Sequence, residues 1–200
     1  ISACLVGSEM CIRDRIYAVL CLALNVQWGM GGLFNAGIAG FFAVGAYTSA
    51  IVTTAVSSKH LGGFELPIPF GLAAAMIVAG ITGWIVAKIC VRLKSDYLAM
   101  ASVGIAEILR LVIVNESWLT NGSLGIAGVP RPFGNLVQGR EADLLYLAMV
   151  WLCVLCVYIL CQRLYVSPWG RTLRAIRDNE DSARAPGKDV DRFRLQTFVI

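Results

Sequence analysis

Histidine is nearly missing from these 200 residues, and His60, the single one, falls in a polar loop, where it reads as solvated. The patterns GxxxxGKS/T, HExxH and GxSxG are absent, so no phosphate-cradling loop, zinc-binding helix or nucleophile elbow announces an enzyme. Charge is also scarce: 15% of the residues are Asp, Glu, Lys or Arg, against about 25% in ordinary soluble domains. With 58% hydrophobic residues, that composition fits an integral membrane protein. The net charge of +4 gathers toward the C-terminal end, which suits membrane orientation better than nucleic-acid binding. Neither a metal nor a cofactor is expected.

Cysteine is not scarce. Cys4, Cys11, Cys21, Cys90, Cys153, Cys156 and Cys161 are spread along the chain. Most sit in apolar runs, where a thiol behaves as a small hydrophobe. Cys153 and Cys156 form a CxxC, but their neighbours are apolar and no histidine is near, so redox or metal chemistry has no support.

The longest polar stretch is 167–192, SPWGRTLRAIRDNEDSARAPGKDVDR, and it lies between apolar segments. A charge at the bilayer centre costs roughly 2.5–3.5 kcal/mol on insertion scales, so this loop must leave the membrane. Its arginine excess places it in the cytoplasm. Ser167 is a helix cap and Pro168 suits the first helical position. Arg171, Arg174 and Arg177 recur at i, i+3, i+6 beside Leu173 and Ile176, and Pro186-Gly187 ends the pattern. The spacing predicts an amphipathic helix of about four turns. It is either a solvated or lipid-surface helix, or a docking helix for a cytoplasmic partner.

Elsewhere the chain alternates apolar segments with loops. Ile16–Gln27 begins the first apolar helix, and glycine is dense from Trp28 to Gly40 before Phe41–Val56 turns apolar again. Such glycine either interrupts a helix or lets helices approach closely. Phe70–Val91, Tyr97–Asn115 and Ala142–Gln162 are spans, separated by loops at 57–69, 92–96 and 116–141. With 167–192 inside, alternation puts Arg92 and Lys94 inside as well, as the positive-inside rule asks. The same alternation starts residue 16 outside and leaves Arg13 and Arg15 on the wrong side. Residues 1–15, charged and without period, lack the apolar core of a signal peptide. They are expected to be a non-native leader outside the fold. Phe193–Ile200 stops mid-pattern, which suggests a fragment of a larger protein.

Glu107 is an intramembrane carboxylate, and Arg110 follows one turn later. The two form either a neutralising pair or part of a polar path wall. Asn25, Gln27 and Asn35 flank the glycine-rich break, where irregular backbone is tolerated only if it is buried in protein or lines a cavity. Those four residues are the candidate substrate pathway. Lys88, near a helix end, is expected to snorkel. Asn121-Gly122-Ser123 matches a glycosylation acceptor in form only.

Four stretches taken together resemble one family: YAVLCLALNVQWGMGGLFNAGIAGFFAVGAYTSA, VRLKSDYLAMASVGIAEILRLV, TNGSLGIAGVPRP and SPWGRTLRAIRDNEDSARAPGKDVDRFRLQTFVI. They are similar to the LivM-type inner-membrane permeases of ABC importers for branched-chain amino acids, from Ile16 to Ile200. The resemblance implies an all-α, polytopic transmembrane helical bundle in the bacterial inner membrane, with further helices on both sides. It implies a transport subunit rather than an enzyme, with ATP hydrolysis in a separate chain. The implied partners are a second permease subunit, cytoplasmic ATPase subunits and a periplasmic substrate-binding protein, with membrane lipid around the helices and no nucleic acid. An ATPase-independent channel or secondary transporter is the rival. By the same resemblance 167–192 is a coupling loop, with Gly170, Arg171, Arg174, Ala175, Ile176 and Arg177 at the ATPase. The chain departs from the family at Ala185-Pro186-Gly187-Lys188, where a small-Met-Gly-hydrophobic run is usual.

Overall fold

The computed structural model describes residues 2–55, 62, 64–90, 93, 95–130, 140–185, 187 and 189–200. His60, Arg92, Lys94, Pro186, Lys188 and all of residues 131–139 lie outside the described residues. Among the described residues every element is helical, as expected, and they form two compact units.

The first unit holds residues 1–32 and 132–194. Helix α1 (Ser2–Leu24) begins well before Ile16 and carries straight through the charged stretch Arg13-Asp14-Arg15. Charge removed the apolar period there, but Arg, Met, Leu and Ala are all good helix formers, so propensity continues the helix. Helix α6 (Arg140–Val166) packs along α1. The Arg15 guanidinium lies 4.5 Å from the centre of the Trp151 ring. The chain after α1 and the chain after α6 also meet, at Gly29 and Arg177. The two helices therefore run in the same direction, which is the sense the charge-based topology requires of them.

The second unit holds residues 33–131 and 195–200. It contains α2 (Ile38–Thr53), α3 (Ile68–Cys90), α4 (Ser95–Asn115) and the single turn α5 (Ser117–Thr120). Gly71 on α3 lies against Thr53 and Ser49, and Gly45 on α2 lies against Ala75 and Ala79, so α2 and α3 are antiparallel. Gly37 and Gly40 lie against Ser102 and Ala106 of α4, so α2 and α4 are parallel. Small residues thus line both contacts of α2, as membrane helices that pack by close backbone approach require. A buried cluster of Leu33, Val86, Ala87, Cys90, Leu98 and Phe198 closes the end of this unit. Phe41 meets Phe198 edge-on at 5.8 Å. Beyond α4, the Asn121 amide donates to the Gly125 carbonyl at 3.0 Å, which orders the acceptor-like triplet as a turn.

Among the described residues three helices are long and apolar enough to cross a membrane, Ile68–Cys90, Asp96–Asn115 and Asp143–Val166, and α2 is a shorter apolar helix. Lys88, in the last turn of α3, folds back over the Trp84 ring at 5.0 Å. The Cys153 and Cys156 thiols are both free and exposed on α6.

The amphipathic segment departs from one continuous helix. It divides into α7 (Pro168–Asp178) and α8 (Glu180–Arg184). Asn179 stands between them with extended backbone, φ −157° and ψ 109°. Its side chain accepts the Ser182 N–H at 3.1 Å, so asparagine starts a second helix instead of continuing the first. Ile176, Ala183 and Val190 bury one another with Phe193, and Glu180 receives both Arg184 at 2.7 Å and Arg194 at 2.8 Å. Helix α9 (Val190–Val199) follows.

Candidate functional site

The glycine-rich break is real and has a definite form. After Leu24 the chain widens into a π-helical turn, Asn25–Met30. The Gly31 N–H reaches the Val26 carbonyl at 3.3 Å, five residues back, before Gly32 turns the chain away at φ +66°. Glycine adopts that left-handed conformation without cost, which a side chain would not. π-Turns inside helices concentrate at functional sites. Residues 31–37 then run without regular structure into α2, apart from turns at Gly31, Ala36 and Gly37.

Within the first unit the break meets α7. Ser167 caps α7 as its sequence predicts: its hydroxyl accepts the Gly170 N–H at 3.1 Å and donates to the Leu164 carbonyl at 2.6 Å. Gly170 is a steric necessity here. A Cβ on it would stand 2.2 Å from the Leu164 carbonyl oxygen and 2.9 Å from that of Tyr165. Arg174 is turned back onto the same corner. Its guanidinium lies 4.1 Å from the Tyr165 ring centre, and Nη2 donates to the Tyr165 carbonyl at 3.2 Å. Arg177 reaches the other way. Its Nη1 donates to the Gly29 carbonyl at 2.5 Å, while Nε and Nη2 hold Asp178 Oδ1 at 3.1 and 2.9 Å. Leu173 and Ile176 are buried, and Arg171, Ala175 and Asp178 are exposed.

Of the residues expected on a substrate pathway, Asn25 and Gln27 belong to the first unit. Asn25 is exposed and Gln27 is buried. Asn25 shares an open cavity of about 410 Å³ with Cys21, Leu24, Trp28, Gly29 and Arg177. Asn35 and Glu107 belong to the second unit. Asn35 is fully buried, and its Oδ1 accepts the Gly37 N–H at 3.0 Å, tying the start of α2. Ser102 secures the next residue: its hydroxyl accepts the Ala36 N–H at 3.1 Å and donates to the Ala99 carbonyl at 2.8 Å. Glu107 forms a two-pronged pair with Arg110, at 2.9 Å to Nε and 2.6 Å to Nη2, and both side chains are more than half exposed. So the sequence-expected pair exists, while Asn35 acts on backbone in the interior. No group of three or more His, Cys, Asp or Glu is placed to hold a metal ion among the described residues.

Residues 10–200 match the family described as "Branched-chain amino acid transport system / permease component". The chain belongs to that family. The LivM permease of the high-affinity branched-chain amino acid transport system of Salmonella typhimurium is 32% identical over 96% of this chain and 48% of its own length. A probable branched-chain amino acid transport permease, LivM of Methanocaldococcus jannaschii, is 26% identical over 92% of this chain and 60% of its own. The LivH permease of Escherichia coli is 24% identical over 92% of this chain and 62% of its own. The chain thus spans about half the length of the LivM relative in Salmonella. No solved structure matches it. Family membership and its long apolar helices mark the chain as a membrane protein. Three of its local contacts were not visible as motifs: Tyr165 under Arg174, Ser102 under Ala36, and Gly29 against Arg177. An aromatic residue two places before a helix cap was the only available hint for the first.

Proposed function

We propose that this chain is the membrane-spanning core of an ATP-driven importer for branched-chain amino acids. It would sit in the bacterial inner membrane as a multi-pass subunit. A second permease, cytoplasmic ATPases and a periplasmic binding protein complete the importer, and substrate moves by alternating access. The 167–192 segment is the coupling loop, and hydrolysis belongs to the ATPases. Family membership supports the class, and the observation that carries the mechanism is the bare face of α7. Arg171, Ala175 and Asp178 lie one turn apart on that face and are exposed, while Leu173 and Ile176 anchor the other side. A helix fixed at its cap and along its buried stripe can pass a push on that face to the membrane helices. Gly170 and Ile176 then serve the loop's shape, and Arg171 with Ala175 forms the contact. Asn25, Gln27, Asn35 and Glu107 remain the proposed path residues.

Arg171→Glu in the full-length permease tests this. The expected result is loss of the co-purifying ATPase with membrane insertion unchanged. Arg174→Glu is a weaker probe, because Arg174 is engaged with Tyr165. Leucine uptake that persists without ATP or ATPase would show instead a channel or secondary transporter.

A further inference from the structure

The three arginines of α7 share a stripe in the sequence but have three different surroundings. Arg171 is exposed at the surface, Arg174 folds onto the α6 corner, and Arg177 crosses to the helix break. We propose that Arg177 is a positioning residue that ties the coupling loop to the broken first helix, rather than a contact for the ATPase. This rests on the importer reading and deepens it.

The bond joins residues 148 positions apart in the chain. Its acceptor is a carbonyl in the last turn before the break, where helix carbonyls lack intrahelical partners and a cation is favoured. Asp178 takes the other edge of the guanidinium and sets its plane. Gly32 leaves the room: a Cβ there would come within 2.7 Å of Arg177 Cγ. Asn25 lies against the same carbonyl-bearing residue, since a Cβ on Gly29 would meet Asn25 Oδ1 at 2.4 Å. A chain of direct contacts therefore runs from α7 through Arg177 and Gly29 to Asn25, on the wall of the cavity. Arg177 is aimed at the chain's own backbone, so its charge serves this link. When α7 moves, the π-turn moves with it.

The test uses the full importer, reconstituted in proteoliposomes with its ATPases and binding protein, and tritiated leucine as the probe. In Arg177→Ala the ATPase still co-purifies and basal hydrolysis stays within about twofold. Stimulation by leucine-loaded binding protein and leucine uptake fall about tenfold. Arg177→Lys, which keeps one donor for Gly29, recovers much of both. Loss of the ATPase from Arg177→Ala overturns the proposal and makes Arg177 a docking contact. Wild-type stimulation and uptake in Arg177→Ala overturn it as well. If Arg177→Ala fails to assemble, Arg177→Met, which keeps the aliphatic stem and loses every donor, decides: uncoupling with the ATPase bound supports the link and normal coupling refutes it. Absence of ATP-dependent uptake in the wild-type importer refutes the importer reading itself.

Discussion

Replacing Gly170 with alanine sets two physical effects against each other, and the sign of the result reports on the α6–α7 corner. By intrinsic propensity, alanine should favour the helix by about 1 kcal/mol over glycine. By sterics, its Cβ would lie 2.2 Å from the Leu164 carbonyl oxygen, a backbone atom with no rotamer to escape into. Ordinary contact needs roughly 1 Å more, so the corner has to open, and overpacking of this kind costs about 1–3 kcal/mol. Opening also weakens the Ser167 cap, which contributes about 1 kcal/mol. The Arg174–Tyr165 contact loosens with it, at about 0.5–1 kcal/mol for an exposed cation–π pair. The net expectation is destabilisation of α7 by about 1–3 kcal/mol, or roughly 5- to 150-fold faster amide exchange. Hydrogen exchange on α7 peptides of the full-length permease in nanodiscs measures this directly. Exchange that is unchanged or slower than wild type would mean that the corner has room for a methyl group, and the steric reasoning would be wrong.

Two further outcomes follow from the second unit. Ser102→Ala removes the acceptor of the Ala36 N–H and should lower stability by about 1–2 kcal/mol, seen as a Tm lower by a few degrees in detergent; an unchanged Tm would deny that the bond matters. Glu107→Gln leaves Arg110 without its partner in an apolar span and should reduce insertion, while the double replacement Glu107→Gln with Arg110→Gln restores it. If the double variant inserts but transports nothing, the pair belongs to the path as well as to the fold.

The features legible in the sequence are those governed by neighbours. The long apolar spans, the Ser167-Pro168 start and the Glu107–Arg110 pair each depend on residues within one or two turns, and each appears where the spacing put it. The glycine-rich break was legible as a break, but its π-turn was not, because glycine density does not say how the last turn closes. The division at Asn179 was open to reading, since asparagine favours caps, yet the flanking arginine period concealed it. The destinations of the arginines were not legible. Arg171, Arg174 and Arg177 have one chemistry and one spacing, and only the contacts with Tyr165 and Gly29 separate them. The first depends on how tightly the α6–α7 corner folds and the second on how α1 and α6 lie together, which no local pattern records. Asn35 shows the same limit: its place beside the break was legible, but not its burial or the Gly37 N–H that its side chain accepts.

The wide turn at Asn25–Met30 has a consequence for how the first helix can move. A turn closed five residues back holds about one residue more than an α-turn. Returning it to α-geometry would feed that residue into the neighbouring helix, turning the helix by about 100° and sliding it by about 1.5 Å along its axis. The side chains of Cys21, Leu24 and Asn25 would then face a new direction without any helix tilting. The break is therefore a screw thread as much as a hinge, with its pitch set by the backbone hydrogen-bond ladder.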